Sequence, residues 1–379
     1  MQTKLPSVST TIFTVMSELA RAEGALNLSQ GFPDFDGPAE LLDRVHHYFA
    51  TGQNQYAPMM GVPSLREATA AKLEEVYGCR VDPESEVTIT SGATEALFCA
   101  VAATVRPGDE VIVFDPAYDC YEPAVTLQGG STKHIPLHPP DYRIDWELVA
   151  GVVGPRTRLI ITNTPHNPTG AAWTAADIEG LRAAIADREV YVLADEVYEH
   201  MVYDGRRHES LCRHPDLFAR SFVVSSFGKT YHTTGWKVGY CCAPRPLSEE
   251  FRKVHQYVTF TTITPVQLGI ADFLRAHPEH HEQLADFYQA KRDLFCRALQ
   301  PSKFDLVPSG GTYFQLLDYS RLSNEPDTEL AVRLTKEHRL ATIPVSVFYE
   351  HDPGHRMLRV CFAKDDATLF EAAEILCNL

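Results

Sequence analysis

The chain has 379 residues, 44% hydrophobic and 22% charged, which is enough for two globular domains of unequal size. Its 34 Lys and Arg against 50 Asp and Glu give a formal net charge of −16, which argues against a nucleic-acid partner. The nine cysteines form no Cys-x-x-Cys pair, and no window approaches the roughly 20 apolar residues of a membrane helix. We therefore expect a soluble cytoplasmic protein with reduced thiols and no membrane contact.

The first forty or so residues are rich in turn formers, of which Ser29-Gln30-Gly31-Phe32-Pro33-Asp34 is the clearest run. We expect this N-terminal arm to cross to a second domain or to a neighbouring subunit. The predicted boundaries are 1–45 for the arm and part of a small domain, 46–275 for a large domain, and 276–379 for the rest of the small domain.

From Val87 to about Cys242, short β-branched apolar runs alternate with longer helical windows. This alternation is typical of βαβ units and predicts a mostly parallel sheet with helices on both faces. The predicted strands are 87–90, 110–114, 158–162, 190–195, 221–226 and 238–243.

After Cys242 the pattern changes, and the remaining chain predicts an α+β domain. Its expected elements are helices at about 264–276, 279–299 and 327–339, an apolar run at 312–317, and a strand and helix from Met357 to the end.

Two ionisable residues lie at the ends of predicted strands. Lys229 follows the strand 221–226 in Ser225-Ser226-Phe227-Gly228-Lys229, where ligands of α/β proteins bind. Partial burial there lowers the pKa of an amine and allows imine formation, although a surface lysine in a loop fits the same letters. Asp195 ends the preceding strand, and could be a metal ligand, a helix cap or a partner for a cationic ring nitrogen.

Two loops offer further polar groups. The segment 163–170 contains two X-Pro steps and a final Gly, so it is either a plain turn or a rigid support for an Asn amide donor. The segment Ser91-Gly92-Ala93-Thr94 lies between a strand and a helix, where backbone N–H groups can bind phosphate. The chain lacks a Gly-x-Gly-x-x-Gly motif and a P-loop lysine there, which disfavours a dinucleotide or nucleoside triphosphate.

Taken in order, these motifs resemble the class I, fold-type I aminotransferases from about Leu5 to the C-terminus. The resemblance rests on Asn167-Pro168-Thr169-Gly170, Asp195 to Tyr198, Ser226 to Lys229, Gly235 to Gly239 and Leu358 to Phe362. Segments 27–35, 54–58 and 225–240 are similar to the kynurenine aminotransferase and glutamine transaminase branch. The implied fold is that of the pyridoxal 5'-phosphate-dependent transferases: a large domain with a mostly parallel central sheet covered by helices, plus a smaller α+β domain, in a homodimer.

The resemblance also implies roles for cofactor-binding residues. Lys229 carries pyridoxal 5'-phosphate as a Schiff base and moves the proton between substrate Cα and cofactor C4'. Asp195 pairs with the ring nitrogen, Asn167 and Tyr198 hydrogen-bond the phenolic oxygen, and Tyr118 stacks on the ring. The implied phosphate ligands are Ala93, Thr94, Ser226, Lys237 and, from the partner subunit, Tyr56. Lys237 stands where many members of the family have Arg, so the phosphate would contact a single ammonium charge and not a bidentate guanidinium.

For the substrate, the resemblance implies that Arg359 clamps the α-carboxylate in bidentate geometry and that Gly31 and Asn167 assist. Without the other motifs, Arg359 would be interpreted by default as a solvated residue of a terminal strand. Phe13 either lines the side-chain pocket or is ordinary core. The implied reaction is ping-pong transfer of the amino group of L-methionine, and also of glutamine, aromatic amino acids or kynurenine, to a 2-oxo acid. The alternative on the same fold is a cysteine-conjugate carbon–sulfur β-lyase.

No metal site is expected. His277 and His281 have the i, i+4 spacing of a helical metal pair, and His280 lies between them. Because Pro278 starts the segment and no Cys or His-Glu-x-x-His pattern is near, we interpret the cluster as a solvated helix end.

Overall fold

The computed structural model describes residues 3–6 and 8–379. The strands are β1 Leu26–Asn27, β2 Val87–Thr90, β3 Glu110–Asp115, β4 Ser131–Pro136, β5 Thr157–Asn163, β6 Tyr191–Asp195, β7 Ser221–Ser226, β8 Gly239–Cys242, β9 Phe314–Asp318, β10 Leu340–Ala341, β11 Ile343–Pro344 and β12 Met357–Cys361. The α-helices are α1 Ile12–Glu23, α2 Ala39–Ala50, α3 Pro63–Tyr77, α4 Ala93–Thr104, α5 Tyr121–Leu127, α6 Trp146–Val152, α7 Ala175–Ala184, α8 Pro215–Phe218, α9 Phe227–Thr230, α10 Arg245–Val258, α11 Thr264–Ala276, α12 Pro278–Glu282, α13 Leu284–Ala298, α14 Asp327–His338 and α15 Asp366–Cys377.

A seven-stranded sheet with the order β2-β8-β7-β6-β5-β3-β4 forms the centre of the molecule. Its neighbours are parallel except β8, which runs antiparallel to both β2 and β7. Consecutive residues of β3 alternate between two apolar clusters: Val111 and Val113 pack on one face, Ile112 and Phe114 on the other. The predicted mostly parallel sheet, buried on both faces, is confirmed.

The parallel strands bring polar residues to one edge of this sheet. Asn163 ends β5, Asp195 ends β6 and Ser226 ends β7, and in the register of the sheet Asn163 is directly opposite Asp195. Because parallel strands end at the same edge, three segments separated by about thirty residues each converge there.

The N-terminal arm packs with the C-terminal part of the chain. β1 pairs in parallel with β10, and Leu28 and Met16 belong to the same buried cluster as Leu330 and Leu369. A three-stranded sheet of order β11-β12-β9 supports this cluster. The domain boundaries at residues 45 and 275 stay a prediction.

The histidine cluster at 277–281 differs from its interpretation as a solvated helix end. The predicted helix 279–299 is split into α12 and α13, and His281 is buried with its ring 4.9 Å from that of His200. Nε2 of His280 lies 3.0 Å from the carbonyl oxygen of Thr230. That interpretation is therefore wrong for His280 and His281, which pack against Thr230 and His200, whereas the side chain of His277 is 29% exposed.

None of the helices formed by the described residues is long and apolar enough to cross a membrane.

Candidate active site

A cavity of about 220 Å³ opens at the edge of the central sheet where β5, β6 and β7 end. Its lining contains most of the residues that the sequence analysis selected. The lining residues are Gly31, Phe32, Gly92, Ala93, Thr94, Leu97, Tyr118, Asn163, Asn167, Asp195, Val197, Tyr198, Ser226, Lys229, Thr234 and Lys237.

Lys229 extends into this cavity from α9, the short helix that follows β7. Its Nζ lies 2.8 Å from the hydroxyl oxygen of Tyr313 and 3.2 Å from the carbonyl oxygen of Gly31. Burial lowers the pKa of Lys229 to about 8. An appreciable fraction of the amine is therefore uncharged near neutral pH and able to act as a nucleophile or base.

Asp195 is a buried carboxylate with one strong side-chain donor. Tyr121 donates to its Oδ2 over 2.7 Å, and the side-chain amide of Asn163 donates to its carbonyl oxygen over 2.8 Å. Burial raises the pKa of Asp195 to about 6, whereas the hydrogen bond from Tyr121 acts in the opposite direction. No salt bridge to Asp195 forms within residues 3–6 and 8–379. A buried carboxylate without a cation is suited to binding one.

Asn167 and Arg359 form a second polar pair. Nη1 of Arg359 donates to Oδ1 of Asn167 over 2.9 Å, and Nη2 donates to the carbonyl oxygen of Ser29 over 2.7 Å. Since Oδ1 of Asn167 accepts from the guanidinium, its amide nitrogen is the group left to donate into the cavity. Arg359 is buried, with only 1% of its surface exposed, and its Nε has no hydrogen-bond partner among the described residues.

The predicted phosphate ligands surround the start of α4. Gly92 is the N-cap residue and carries no side chain that could satisfy the free N–H groups of the first turn. A Cβ built on Gly92 would lie 3.2 Å from Nζ of Lys237, so glycine allows the lysine to approach the helix end. Lys237 itself has a left-handed backbone with φ of 54°, a conformation that costs energy for a residue with a side chain. Helix dipole and ammonium together form an anion site.

Of the remaining predicted residues, two line the cavity and two lie outside its lining. Tyr118 and Tyr198 line it, and burial raises the pKa of the Tyr198 hydroxyl, so this group stays protonated. Phe13 is half-buried outside the lining, with its ring centroid 5.6 Å from that of Phe348 and 5.0 Å from Cζ of Arg359. Tyr56 is 85% exposed and does not line the cavity of its own chain.

Three residues that sequence reasoning missed also contact the site: Tyr121 on Asp195, Asn163 on the neighbouring strand, and Tyr313 on Lys229. Asn163 could have been found, because it immediately follows the predicted strand 158–162. Tyr121 and Tyr313 carry no local signal, since one lies in a helix and the other in an apolar run.

Two other features contain none of the residues predicted to bind the cofactor or substrate, although Asn163 lines both cavities. A larger cavity of about 690 Å³ is lined by Trp146, Trp173 and the segment 305–310, and by none of the predicted site residues. Glu95, Cys99 and His255 form the one described group with metal-ligand spacing, but their polar atoms already bond to each other: Glu95 accepts from the thiol of Cys99 at 2.9 Å and lies 2.7 Å from Nδ1 of His255.

Comparison with known proteins relates this arrangement to one family. The family model for aminotransferase class I and II matches residues 23–376. Over 378 aligned residues the chain is 54% identical to methionine aminotransferase of Escherichia coli (strain K12), with 100% of this chain and 98% of that protein covered. The crystal structure of YbdL from Escherichia coli, for which a methionine aminotransferase function was identified, matches with a TM-score of 0.98 and coverage of 100% and 99%.

More distant relatives have the same fold. The structure of N-succinyldiaminopimelate aminotransferase from Mycobacterium tuberculosis has a TM-score of 0.96 at 37% identity, with 100% of this chain and 99% of that one covered. Kynurenine–oxoglutarate transaminase 1 of Mus musculus is 33% identical, with 96% and 93% covered. None of these relatives is named a carbon–sulfur lyase, so that alternative gains no support. With a family model that spans most of its length and relatives that cover nearly all of it, the chain belongs to the class I and II aminotransferases.

Proposed function

We propose that this aminotransferase uses pyridoxal 5'-phosphate to take the amino group of L-methionine and pass it to a 2-oxo acid. The family is pyridoxal phosphate-dependent in general. The observation that carries the proposal is that one cavity contains both the lysine amine of lowered pKa, Lys229, and the buried carboxylate without a cation, Asp195.

The residues present fit this cofactor group by group. Nζ of Lys229 is a nucleophile for the aldehyde, and Asp195 provides the negative charge that a protonated ring nitrogen needs. The amide nitrogen of Asn167 and the hydroxyl of Tyr198 are donors for the phenolic oxygen. The open N-terminus of α4, with Lys237 beside it, suits a phosphate dianion. Ala93, Thr94 and Ser226 line that end of the cavity, and Tyr118 supplies an aromatic face.

When bound, pyridoxal phosphate supplies an electron-withdrawing ring that stabilises negative charge at the Cα of the attached amino acid. Lys229 then acts as the base that takes the proton from Cα and as the acid that returns it at C4'. Asp195 keeps the proton on the ring nitrogen, which preserves the electron-withdrawing character. Catalysis is therefore assigned to Lys229, Asp195 and Tyr198, the last through its bond to the phenolic oxygen.

The substrate carboxylate is assigned to Arg359. Burial lowers the pKa of Arg359 to about 10, so the guanidinium remains charged at neutral pH while one of its N–H groups, at Nε, has no partner among the described residues. Asn167 fixes the guanidinium plane, and Gly31 lines the adjoining wall. Phe32, which lines the cavity, and Phe13, which lies outside that lining but beside Arg359, are assigned as aromatic contacts of the methionine thioether, a contact that sulfur favours. The choice of methionine rests on the relative from Escherichia coli.

We also propose that the enzyme is a cytoplasmic homodimer whose subunits share their active sites. Tyr56 and Tyr257 are each 85% exposed, and Phe260 beside Tyr56 is 41% exposed. Exposed aromatic residues in contact with each other, as Tyr56 and Phe260 are, are typical of protein interfaces. Tyr56 is assigned to the cofactor phosphate of the partner subunit.

The test is a half-reaction recorded by absorbance in the near-ultraviolet and visible range. Addition of L-methionine without any oxo acid should replace the band of the lysine-bound cofactor by that of pyridoxamine phosphate, and an added 2-oxo acid should restore the first band. Lys229→Ala should show neither change. A cofactor band that methionine leaves untouched would remove methionine as substrate. Release of pyruvate from a cysteine conjugate at a comparable rate would instead support the lyase.

A further inference from the structure

Tyr313 contacts Lys229 from a position immediately before β9, and it is completely buried. Its hydroxyl oxygen is 2.8 Å from Nζ of Lys229 and 2.6 Å from the carbonyl oxygen of Gly31. Nζ of Lys229 is itself 3.2 Å from that same carbonyl oxygen. The three polar atoms therefore form a closed triangle.

The direction of each hydrogen bond follows from the groups involved. The carbonyl of Gly31 has no proton, so Tyr313 must donate its own proton to it. The oxygen of Tyr313 then has only lone pairs for Lys229, and the amine must donate. An uncharged lysine amine carries two N–H bonds, and here each of them has an acceptor.

The surrounding packing fixes both acceptors in place. A Cβ on Gly31 would lie 2.8 Å from Cζ of Phe314, so the backbone at Gly31 is pressed against the residue that follows Tyr313. The ring of Tyr313 packs edge-on against Tyr198 at 5.2 Å and tilted against Tyr288 at 5.6 Å. Neither the hydroxyl nor the carbonyl can move without disturbing buried aromatic neighbours.

We propose that Tyr313 is a positioning residue. Its hydroxyl and the carbonyl of Gly31 each accept one N–H of the released amine of Lys229 and so fix the orientation of that amine. The nitrogen lone pair is then the one direction left unengaged, and it is available to the cavity that Lys229 lines. This inference rests on the proposed function, in which Lys229 must be released and uncharged to act as a base.

The proton transfer that this arrangement serves is balanced. When the Cα–H bond of the substrate breaks, the bound cofactor would take up its electron pair. The proton moves to the lone pair of Lys229, which becomes an ammonium that still donates to Tyr313 and Gly31. The same ammonium later gives up one proton at C4' and returns to the uncharged amine.

The test compares Tyr313→Phe with Tyr288→Phe. Both substitutions remove one buried hydroxyl from the same aromatic cluster, but the Tyr288 hydroxyl contacts Nδ1 of His232 at 2.9 Å and not Lys229. In single-turnover reactions of the holoenzyme with saturating L-methionine, Tyr313→Phe should slow the half-reaction about 10- to 100-fold, the effect of a misplaced base. Methionine deuterated at Cα should show a larger isotope effect in Tyr313→Phe than in the parent, because proton removal becomes more rate-limiting. Tyr288→Phe should change neither quantity.

A second measurement needs no turnover. In the full chain freed of cofactor, the pH dependence of Lys229 acylation, followed by mass spectrometry, gives the pKa of its amine. Tyr313→Phe should lower this pKa relative to the parent, because the ammonium loses a charge-assisted acceptor and the amine loses a weaker one.

The role of Tyr313 would be overturned if Tyr313→Phe and the parent had equal half-reaction rates, isotope effects and acylation profiles. The proposed function would then remain intact. A parent that does not react with methionine would instead reject the substrate proposal, and the acylation profiles would still decide whether Tyr313 holds the amine.

Discussion

The hydroxyl of Tyr121 donates a 2.7 Å hydrogen bond to Oδ2 of Asp195, and neither side chain is more than 4% exposed. Burial raises the pKa of a carboxyl group, and with all of its neighbours in place the pKa of Asp195 is about 6. Tyr121 and the backbone N–H of Val197 both favour the ionised form and limit this increase. Tyr121 therefore helps to keep Asp195 a carboxylate.

Tyr121→Phe should raise the pKa of Asp195 further, because the charged form loses a donor and the burial remains. The ionised carboxylate is needed beside the ring nitrogen, so the acidic limb of the pH–rate profile should move to higher pH. The measurement is the half-reaction rate with L-methionine as a function of pH. Tyr142→Phe is the matched control, because the buried hydroxyl of Tyr142 has no hydrogen-bond partner among the described residues. An unchanged acidic limb in Tyr121→Phe would contradict the role assigned to this bond.

Asp195→Asn should make the cofactor-free protein more stable at neutral pH while abolishing activity. The pKa of Asp195 rises from 3.8 to about 6 on folding, so the folded state binds the proton more tightly than the unfolded state does. Its contribution to stability is therefore lost as the pH rises through this range, by at most about 3 kcal/mol. Asn cannot ionise and avoids this loss.

Urea unfolding of parent and Asp195→Asn across the pH range tests this directly. The stability difference should be largest above about pH 7 and should close below about pH 3, where Asp195 is protonated in both states. Added pyridoxal phosphate should reverse the order, since only the parent offers a charge to the ring and gains the full binding free energy. A stability difference that does not depend on pH would mean that Asp195 is not the titrating group.

The site residues that the strand pattern selects share one property: each lies at or just beyond the end of a predicted strand. Lys229, Asp195 and Asn167 each lie within five residues of a strand end, and parallel strands that end at one edge bring them together. Tyr121 and Tyr313 are different. Tyr121 is 74 positions from the carboxylate that it contacts, and Tyr313 is 84 positions from Lys229. Only the completed packing of α5 and β9 against the site creates these contacts.

The sheet shows the same division. β4 was missed because Ser131, Thr132, Lys133 and His134 give this edge strand no apolar run, and it is paired on one side only. The antiparallel direction of β8 agrees with its connection to β7, which contains the short α9 and one further turn in place of the longer helix that usually joins parallel strands. The N-terminal helices α1, α2 and α3 are not among the predicted elements, although all three lie outside the turn-rich run 29–34.

Arg359→Lys should weaken the interaction between the enzyme and the α-carboxylate of the substrate. Lys keeps the charge but cannot present two parallel N–H groups, and it loses the anchors that Asn167 and Ser29 provide. A charge-assisted hydrogen bond is worth about 1.5–3 kcal/mol, so kcat/KM for L-methionine should fall roughly 10- to 150-fold. Arg292→Lys is the control: Arg292 is equally buried but bonds to Asp204, away from the cavity, and should change thermal stability without changing KM. A kcat/KM within twofold of the parent for Arg359→Lys would remove Arg359 as the carboxylate ligand.

Mixed dimers should show which subunit supplies Tyr56. If Tyr56 serves the phosphate of the partner, a dimer of one Lys229→Ala chain and one Tyr56→Ala chain contains one fully intact site: Lys229 from the second chain and Tyr56 from the first. The homodimer of either variant has two damaged sites. Co-expression of the two variants with two affinity tags, followed by tandem purification, should therefore recover activity that neither homodimer has. The matched control pairs Lys229→Ala with Arg359→Ala. Arg359 lies in the same chain as the Lys229 that it serves, on β12, so this pairing should leave every site damaged and recover nothing. Recovery in both pairings, or in neither, would contradict the assignment of Tyr56 to the neighbouring subunit's site.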